Sequence, residues 1–498
     1  MMRTATALLL ASLLANAAAA QQAPRAPQPP KPPAAGQADA PAAGAGAHAP
    51  IVPPFVPDVG AMPQKPTGGD GQMPAPYIAG ARQFLVQPTQ AWVHIAREAK
   101  PGDEIILPKG FHISQVIEGL KGTRDRPIFI RSRDAVPAGV VCDDTGWEFR
   151  RCSHLVIENI LFMNPGKAAI VIDGSPLPGA PADSQLAKDD GTPWQAEITI
   201  RKCTVAGSRG PEQDAILVRR CSDVRIDAVR VDGWNHAAVV AEDTRRLLVR
   251  GLMMVPGDRQ KQAIGIAIRG ASGEVSVTGC SFNKAIRTGV SVGTAARTAE
   301  DGTRSAPPPV ERMRIDRCIF EETGTPLEIV NVRDLVLSRA TIVNPTRAMY
   351  SIAADAGTVD QVLIEKSIGF WFPGMLQAFS PHPGRYAASA VTLADNLWYS
   401  KELPTGWEVL GNPFGVQSVP QVTSIDPSID ATTLRARNPD AIRFGAWSIA
   451  APAGTPAAPG VGNDPRPATP GATTPGPAPA GSPAPSAAPA EAPGRQAP

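Results

Sequence analysis

Between Phe84 and Trp447, apolar and polar residues alternate in short bursts that return again and again along the chain. The bursts read EIIL ending at Leu107, PIFI at Ile130, HLVI at Ile157, EITI at Ile200, DVRI at Ile226 and RLLV at Val249. They continue with EVSV at Val277, RMRI at Ile315, DLVL at Leu337, QVLI at Ile364 and AVTL at Leu393. Alternation of period two within each burst predicts a strand with one buried face. Successive anchors lie 23, 27, 43, 26, 23, 28, 38, 22, 27 and 29 residues apart, a period in the twenties broken by two insertions.

Most copies carry a second apolar burst, such as Ala168 to Ile172, Asp214 to Val218, Ala237 to Ala241, Ile264 to Ile268 and Thr288 to Val292. No copy holds a helical pattern of ten residues. Short strands at this period predict a solenoid in which each coil buries its apolar residues only against its neighbours. The fold class is therefore all-β: a single-stranded, right-handed parallel β-helix of about eleven coils. With stacked strands roughly 4.8 Å apart, ten intervals make a rod of the order of 50 Å. A β-sandwich predicts hairpin turns every 8 to 12 residues, and a leucine-rich repeat needs an LxxLxL spacing; neither pattern is present.

The cysteines keep the same register. Cys203, Cys280 and Cys318 fall three residues after an anchor, where other coils have Ile160, Val229, Leu252 and Ala340. A place shared by these residues is a small buried apolar slot. Cys280 and Cys318, on adjacent coils, are within geometric reach of a disulfide, and free buried thiols account for the pattern without one. No CxxC or clustered Cys/His spacing points to a metal.

Composition separates this body from the ends. The start has Arg3, an apolar run from Ala5 to Leu14 and Ala18-Ala19-Ala20 before Gln21, the pattern of a secretory signal peptide. Pro, Ala and Gly dominate the chain up to Pro74 and again beyond Pro452, where too little apolar surface is available to offset chain entropy. The expected organisation is a signal peptide over 1–20, a disordered segment over 21–74, the β-helix over 75–450 and a disordered tail over 451–498. The protein is then secreted or periplasmic, with no transmembrane segment in the mature chain. A net charge of +2 from 48 basic and 46 acidic residues argues against a general polyanion coat. No nucleic-acid motif occurs, and none is expected as a partner.

The opening coils, AWVHIAREAKPGDEIILPKGFH followed by GLKGTRDRPIFIRSRD, carry a Pro101 to Leu107 strand start, a Gly110 turn and a Gly122 to Ile130 second coil. Over about fifty residues this resembles the pectate-lyase-like β-helix superfamily, and within it the alginate lyase and chondroitinase B type. The resemblance implies action on uronic polysaccharides with a lysine base, an arginine and a calcium site of asparagine and glutamates. The family's catalytic segments have no match here; the nearest material, Gly257 to Gly270, offers Lys261 and Arg269.

In a β-helix the strands are scaffold, so function is expected on the turns. The turns before the second bursts hold Arg209, Asp214, Asp232, Trp234, His236, Asp258, Arg259, Lys261, Lys284 and Arg287. Lys167, His236 and Arg287 each lie ten residues past an anchor, so they share one place on the coil. Three readings follow. In a lyase, His236, Lys261, Arg259 and Arg287 supply base and carboxylate-binding cations, while Trp234, Arg209, Asp214, Asp232, Asp258 and Lys284 line the groove for an acidic polysaccharide. In a hydrolase, Asp214, Asp232 and Asp258 provide the two facing carboxylates that hydrolysis needs. In a non-catalytic surface scaffold, the same strip only binds. Calcium is the one cofactor brought in, by the resemblance alone. The segments Gly174 to Trp194 and Gly293 to Pro309 should leave the rod as loops, the first walling the groove.

Overall fold

The alternating bursts form strands because every second side chain must leave water, and in this chain the only surface available is the neighbouring coil. The computed structural model describes residues 73–177, 191–255, 264–284, 286–295, 297–298, 304–305, 307–352, 357–371, 377–380, 390–400, 417–418 and 425–447. The segments read as signal peptide and Pro/Ala-rich ends lie outside these residues, apart from the last two of the first. The chain is a parallel β-helix: each coil visits three parallel sheets in turn. Sheet I carries the anchors, sheet II follows it with short strands such as Thr204–Ala206 and Arg230–Asp232, and sheet III holds the second bursts.

Ten anchors form one ladder, Ile130, Ile157, Ile200, Ile226, Val249, Val277, Ile315, Leu337, Ile364 and Leu393, each directly opposite the next. All are buried. The first coil is two residues out of the expected register, since Ile105 rather than Leu107 faces Ile130 and Leu107 faces Ser132. A shift of two keeps the same face inward, so alternation alone does not distinguish the two frames.

The corner from sheet I to sheet II turns on one residue, two past the anchor, held in the left-handed region. Asn159, Lys202, Ala228, Arg317, Arg339, Lys366 and Asp395 have φ between 50° and 58° there, a conformation costing about 1–2 kcal/mol for a residue with a side chain. The turn drives the next residue inward, which explains the slot: Cys203, Val229, Leu252, Cys280, Cys318 and Ala340 are all buried. In the last coils the slot becomes polar and self-satisfying, with Asn396 Oδ1 accepting from the Ser367 amide at 2.9 Å and its Nδ2 donating to the Ile364 carbonyl oxygen at 2.9 Å. Cys280 and Cys318 are free thiols, as are the other four. Burial pushes the thiols of Cys142, Cys152 and Cys203 up to about 12.

The ends of the coil stack are closed differently. Near the start, Trp92 packs edge-on against Trp147, ring centroids 5.4 Å apart, beside the short helix Val93–Glu98. Near the end, Leu434, Ala441 and Phe444 pack on Val343, Ile368, Phe370 and Leu397, covering the outer face of sheet II in a second apolar cluster separate from the coil interior. No helix among the described residues is long and apolar enough to cross a membrane.

Candidate functional site

The corner from sheet II to sheet III is where the chain places its variable chemistry. The residue just before each sheet III strand has a fixed position, because its carbonyl takes the amide of the next coil: Lys167 O from Asp214 N at 2.7 Å, His236 O from Ile264 N at 2.8 Å, Arg287 O from Thr325 N at 2.8 Å. Lys167, Gln213, His236, Arg287, Gly324 and Arg347 all hold this place. The shared position expected for Lys167, His236 and Arg287 is therefore present, and Arg347 extends it.

His236 sits at the middle of a short polar chain. Its Nδ1 lies 2.6 Å from Oδ1 of Asp214, on the preceding coil, and the same oxygen accepts the Ala237 amide at 3.1 Å. Its Nε2 lies 3.1 Å from Nη2 of Arg269, which ends the next strand of sheet III. A guanidinium only donates, so Nε2 is the acceptor, and the ring proton sits on Nδ1 facing the carboxylate. These two partners together favour one tautomer of the ring. A small apolar cluster of Ala237, Val240, Ile264 and Ala267 lies on the two sheet III strands that carry His236's neighbour Ala237 and Arg269. Arg269 is offered by the Gly257 to Gly270 segment but is not among the turn residues expected to line the site; its position at a strand end, five residues past the sheet III start at Ile264, gives it no turn signal in the sequence.

Trp234 requires a correction. It is fully buried, and its indole Nε1 donates to the Ile264 carbonyl oxygen at 2.8 Å, so it cannot stack on a ligand at a groove edge. Pro165, Thr323 and Pro345, each eight residues past their anchors like Trp234, are buried too. That place on the coil points inward, and the left-handed Gly233 before it (φ 86°) turns the chain to do so.

Asp232 ends a sheet II strand and takes Arg230 at 2.7 Å, while Asp214 starts a sheet III strand and is committed to His236. They lie on successive coils in different sheets, and each already holds a partner. Lys284 is exposed and paired with Glu322 at 3.2 Å. Arg287 is exposed, with no ion pair among the described residues. Arg209 lines an open cleft of about 790 Å³ with Asp143, Asp144, Lys167 and Glu212, on the same corner. The cleft floor needs glycine: a Cβ on Gly210 would collide with the Gly166 carbonyl oxygen one coil below. Asp258, Arg259 and Lys261 lie outside the described residues.

Both insertions leave after a sheet III strand and rejoin at sheet I. They spring from the far edge of sheet III, across the sheet from His236, and not from the corner that carries the row, so the first insertion is not rooted where a groove wall was expected. The second contains a short antiparallel pairing of Arg297–Thr298 with Arg304–Ser305. Among the described residues, no three His, Cys, Asp or Glu side chains converge.

No protein-family model matches the chain, and no curated protein matches it. Solved structures do. An alginate lyase from Paenibacillus sp. str. FPU-7 aligns at TM-score 0.40 and 14% identity, over 62% of this chain and 99% of that one. A family 6 polysaccharide lyase from Pseudopedobacter saltans aligns at 0.40 and 10%, over 74% of this chain and 100% of that one. A pectate lyase aligns at 0.37 and 9%, over 65% and 76%. The fold stands on the three parallel sheets themselves; likeness at this level says nothing about the reaction or the ligand.

Proposed function

We propose that this is an exported protein, secreted or periplasmic, that binds an acidic, uronic polysaccharide along the corner between sheets II and III and cleaves it by β-elimination at His236. The observation that carries the reading is the Asp214–His236–Arg269 chain. Elimination needs a base at the C–H beside the uronate carboxylate and a cation on that carboxylate to stabilise the enolate that forms. Asp214 fixes the Nδ1–H tautomer, which leaves Nε2 with a lone pair. Arg269 is the cation beside it. When a uronate carboxylate takes the guanidinium, Nε2 is released to accept the C5 proton. The C4–O bond then breaks, its electron pair leaves with the glycosidic oxygen, a C4=C5 double bond forms, and the leaving oxygen is protonated by the imidazolium or by water. Hydrolysis is less well supported, because it needs two facing carboxylates and those of Asp214 and Asp232 are already engaged.

The test is to incubate the purified protein with uronic and neutral polysaccharides, with and without calcium, following both ultraviolet-absorbing unsaturated ends and reducing ends. Unsaturated ends from a uronan, lost in His236→Ala, are expected. Reducing ends without unsaturation would replace the lyase with a hydrolase, and binding without either product would leave a scaffold.

A further inference from the structure

The place before each sheet III strand does not carry charge on every coil. Lys167, His236, Arg287 and Arg347 occupy it on alternate coils, and between them the described residues there are Gln213, which is buried, and Gly324. Gly324 has no room for a side chain, since a Cβ would collide with the Arg287 carbonyl oxygen. At the His236 coil the charge is that of the Arg269 guanidinium against Nε2. Arg287 and Arg347 are exposed and have no ion pair among the described residues, and Lys167 holds only an exposed contact with Asp144, 2.7 Å away, with side-chain exposures of 75% and 71%. Such exposed pairs are worth about 0–1 kcal/mol and exchange readily for another anion.

We infer that these four coils form a ladder of anion sites with a two-coil pitch, reading a polymer whose carboxylates return to one face at intervals near 10 Å. The ladder spans six steps of sheet III, about 30 Å, with the His236 chain at its second rung and the open cleft of Arg209 beside its first. An extended hexuronan whose rings flip from one residue to the next presents alternate carboxylates on one face. Every second ring therefore meets a cation, and the rings between face the neutral rungs. The inference rests on the proposed ligand class and adds a length and a period to it: the protein grips the interior of a long chain, and the rungs beyond His236 bind without taking part in the reaction.

The experiment measures binding apart from turnover. In a His236→Ala background, size-fractionated oligouronates are titrated into the protein and into Arg287→Ala and Arg347→Ala versions, with Arg245→Ala, an exposed arginine at the start of a sheet I strand, as the charge-matched control. Each rung substitution should weaken long oligomers about 3- to 10-fold and lower the salt dependence of binding, whereas Arg245→Ala should stay within about 2-fold. Affinity should climb as the oligomer lengthens and level off once it spans the rungs. Equal losses from all three arginines, or affinity that is already maximal for an oligomer too short to touch two rungs, would overturn the ladder. Salt-dependent, rung-dependent binding with no cleavage by the unsubstituted protein would sink the lyase and leave the ladder, and cleavage indifferent to Arg287 and Arg347 would do the reverse.

Discussion

Asp214 Oδ1 lies 2.6 Å from His236 Nδ1, with the carboxylate on one coil and the imidazole on the next. The register that stacks the coils is therefore also what sets the tautomer of the imidazole, since Ala237 pairs opposite Asp214 and donates its amide to the same oxygen. Replacing Asp214 by Asn removes the fixed acceptor and lets the ring present a proton at Nε2. In a preparation with measured lyase activity, Asp214→Asn should lower kcat by about 10²- to 10⁴-fold, with little change in the affinity for a non-cleaved oligomer. Arg269→Ala should raise KM as well as lower kcat, because the guanidinium touches the bound carboxylate. Equal small losses in both variants would place the chemistry elsewhere on the corner.

The parts of this site that the sequence displays and the parts it hides differ for a physical reason. The anchor ladder is legible because burial on one face repeats every second residue, and the slot of Cys203, Cys280 and Cys318 is legible because the same turn recurs two residues past each anchor. The common position of Lys167, His236 and Arg287 follows from equal loop lengths. The contact of Arg269 with His236 stays hidden because Arg269 belongs to a strand, and its approach to His236 is a side-chain path across a sheet face. Trp234 misleads for the opposite reason: a turn residue can point inward, and only the buried Pro165, Thr323 and Pro345 at the same place on other coils reveal it. The packing of Leu434, Ala441 and Phe444 on sheet II has no period at all, so nothing in the repeat announces it.

A second expectation concerns pH. On the outer face of sheet I, Glu158 accepts hydrogen bonds from Tyr77 and Arg201, each at 2.8 Å. Burial alone would push its carboxyl up, but Arg201 and the Tyr77 hydroxyl outweigh burial and hold it below the usual range. A carboxylate held lower in the folded state contributes stability above its unfolded value, and that contribution is lost as the pH falls through the folded one. Tyr77 works at the other end: burial first, then Glu158, pushes its hydroxyl up to about 12. Its contribution is complete below the ordinary tyrosine value and is lost as pH rises from there through the folded value. Tyr77→Phe should therefore move the acid unfolding midpoint to higher pH and remove part of the alkaline loss near pH 10–12. Glu158→Gln should cost about 2 kcal/mol at neutral pH and flatten the acid limb. Urea unfolding followed across the pH range checks both, and a Tyr77→Phe protein with unchanged limbs would show that the pair carries no linkage.

The last expectation separates packing from recognition at a single residue. Trp234 stands two positions before His236, and the two side chains have opposite fates: the indole is fully buried and spends its N–H on the Ile264 carbonyl oxygen, while the imidazole stays partly open to solvent on the outside. Trp234→Ala leaves a cavity in the coil interior and an unpaired carbonyl, a loss of about 3–5 kcal/mol. Trp234→Phe keeps most of the volume and loses the hydrogen bond, so it should cost about 1–2 kcal/mol. If the ring acts only through packing, the Phe variant should unfold at lower urea yet bind oligouronates with the affinity of the parent protein under conditions where both are folded. Were Trp234 instead a stacking platform, the order would invert: Phe would still offer a ring, stability would be nearly unchanged in Trp234→Ala, and ligand affinity would fall by an order of magnitude. Measuring unfolding and binding on the same two variants decides between them, and with Ile264 opposite Ala237 in the ladder, a Trp234→Ala protein that folds with parental stability would contradict the packing described for this corner.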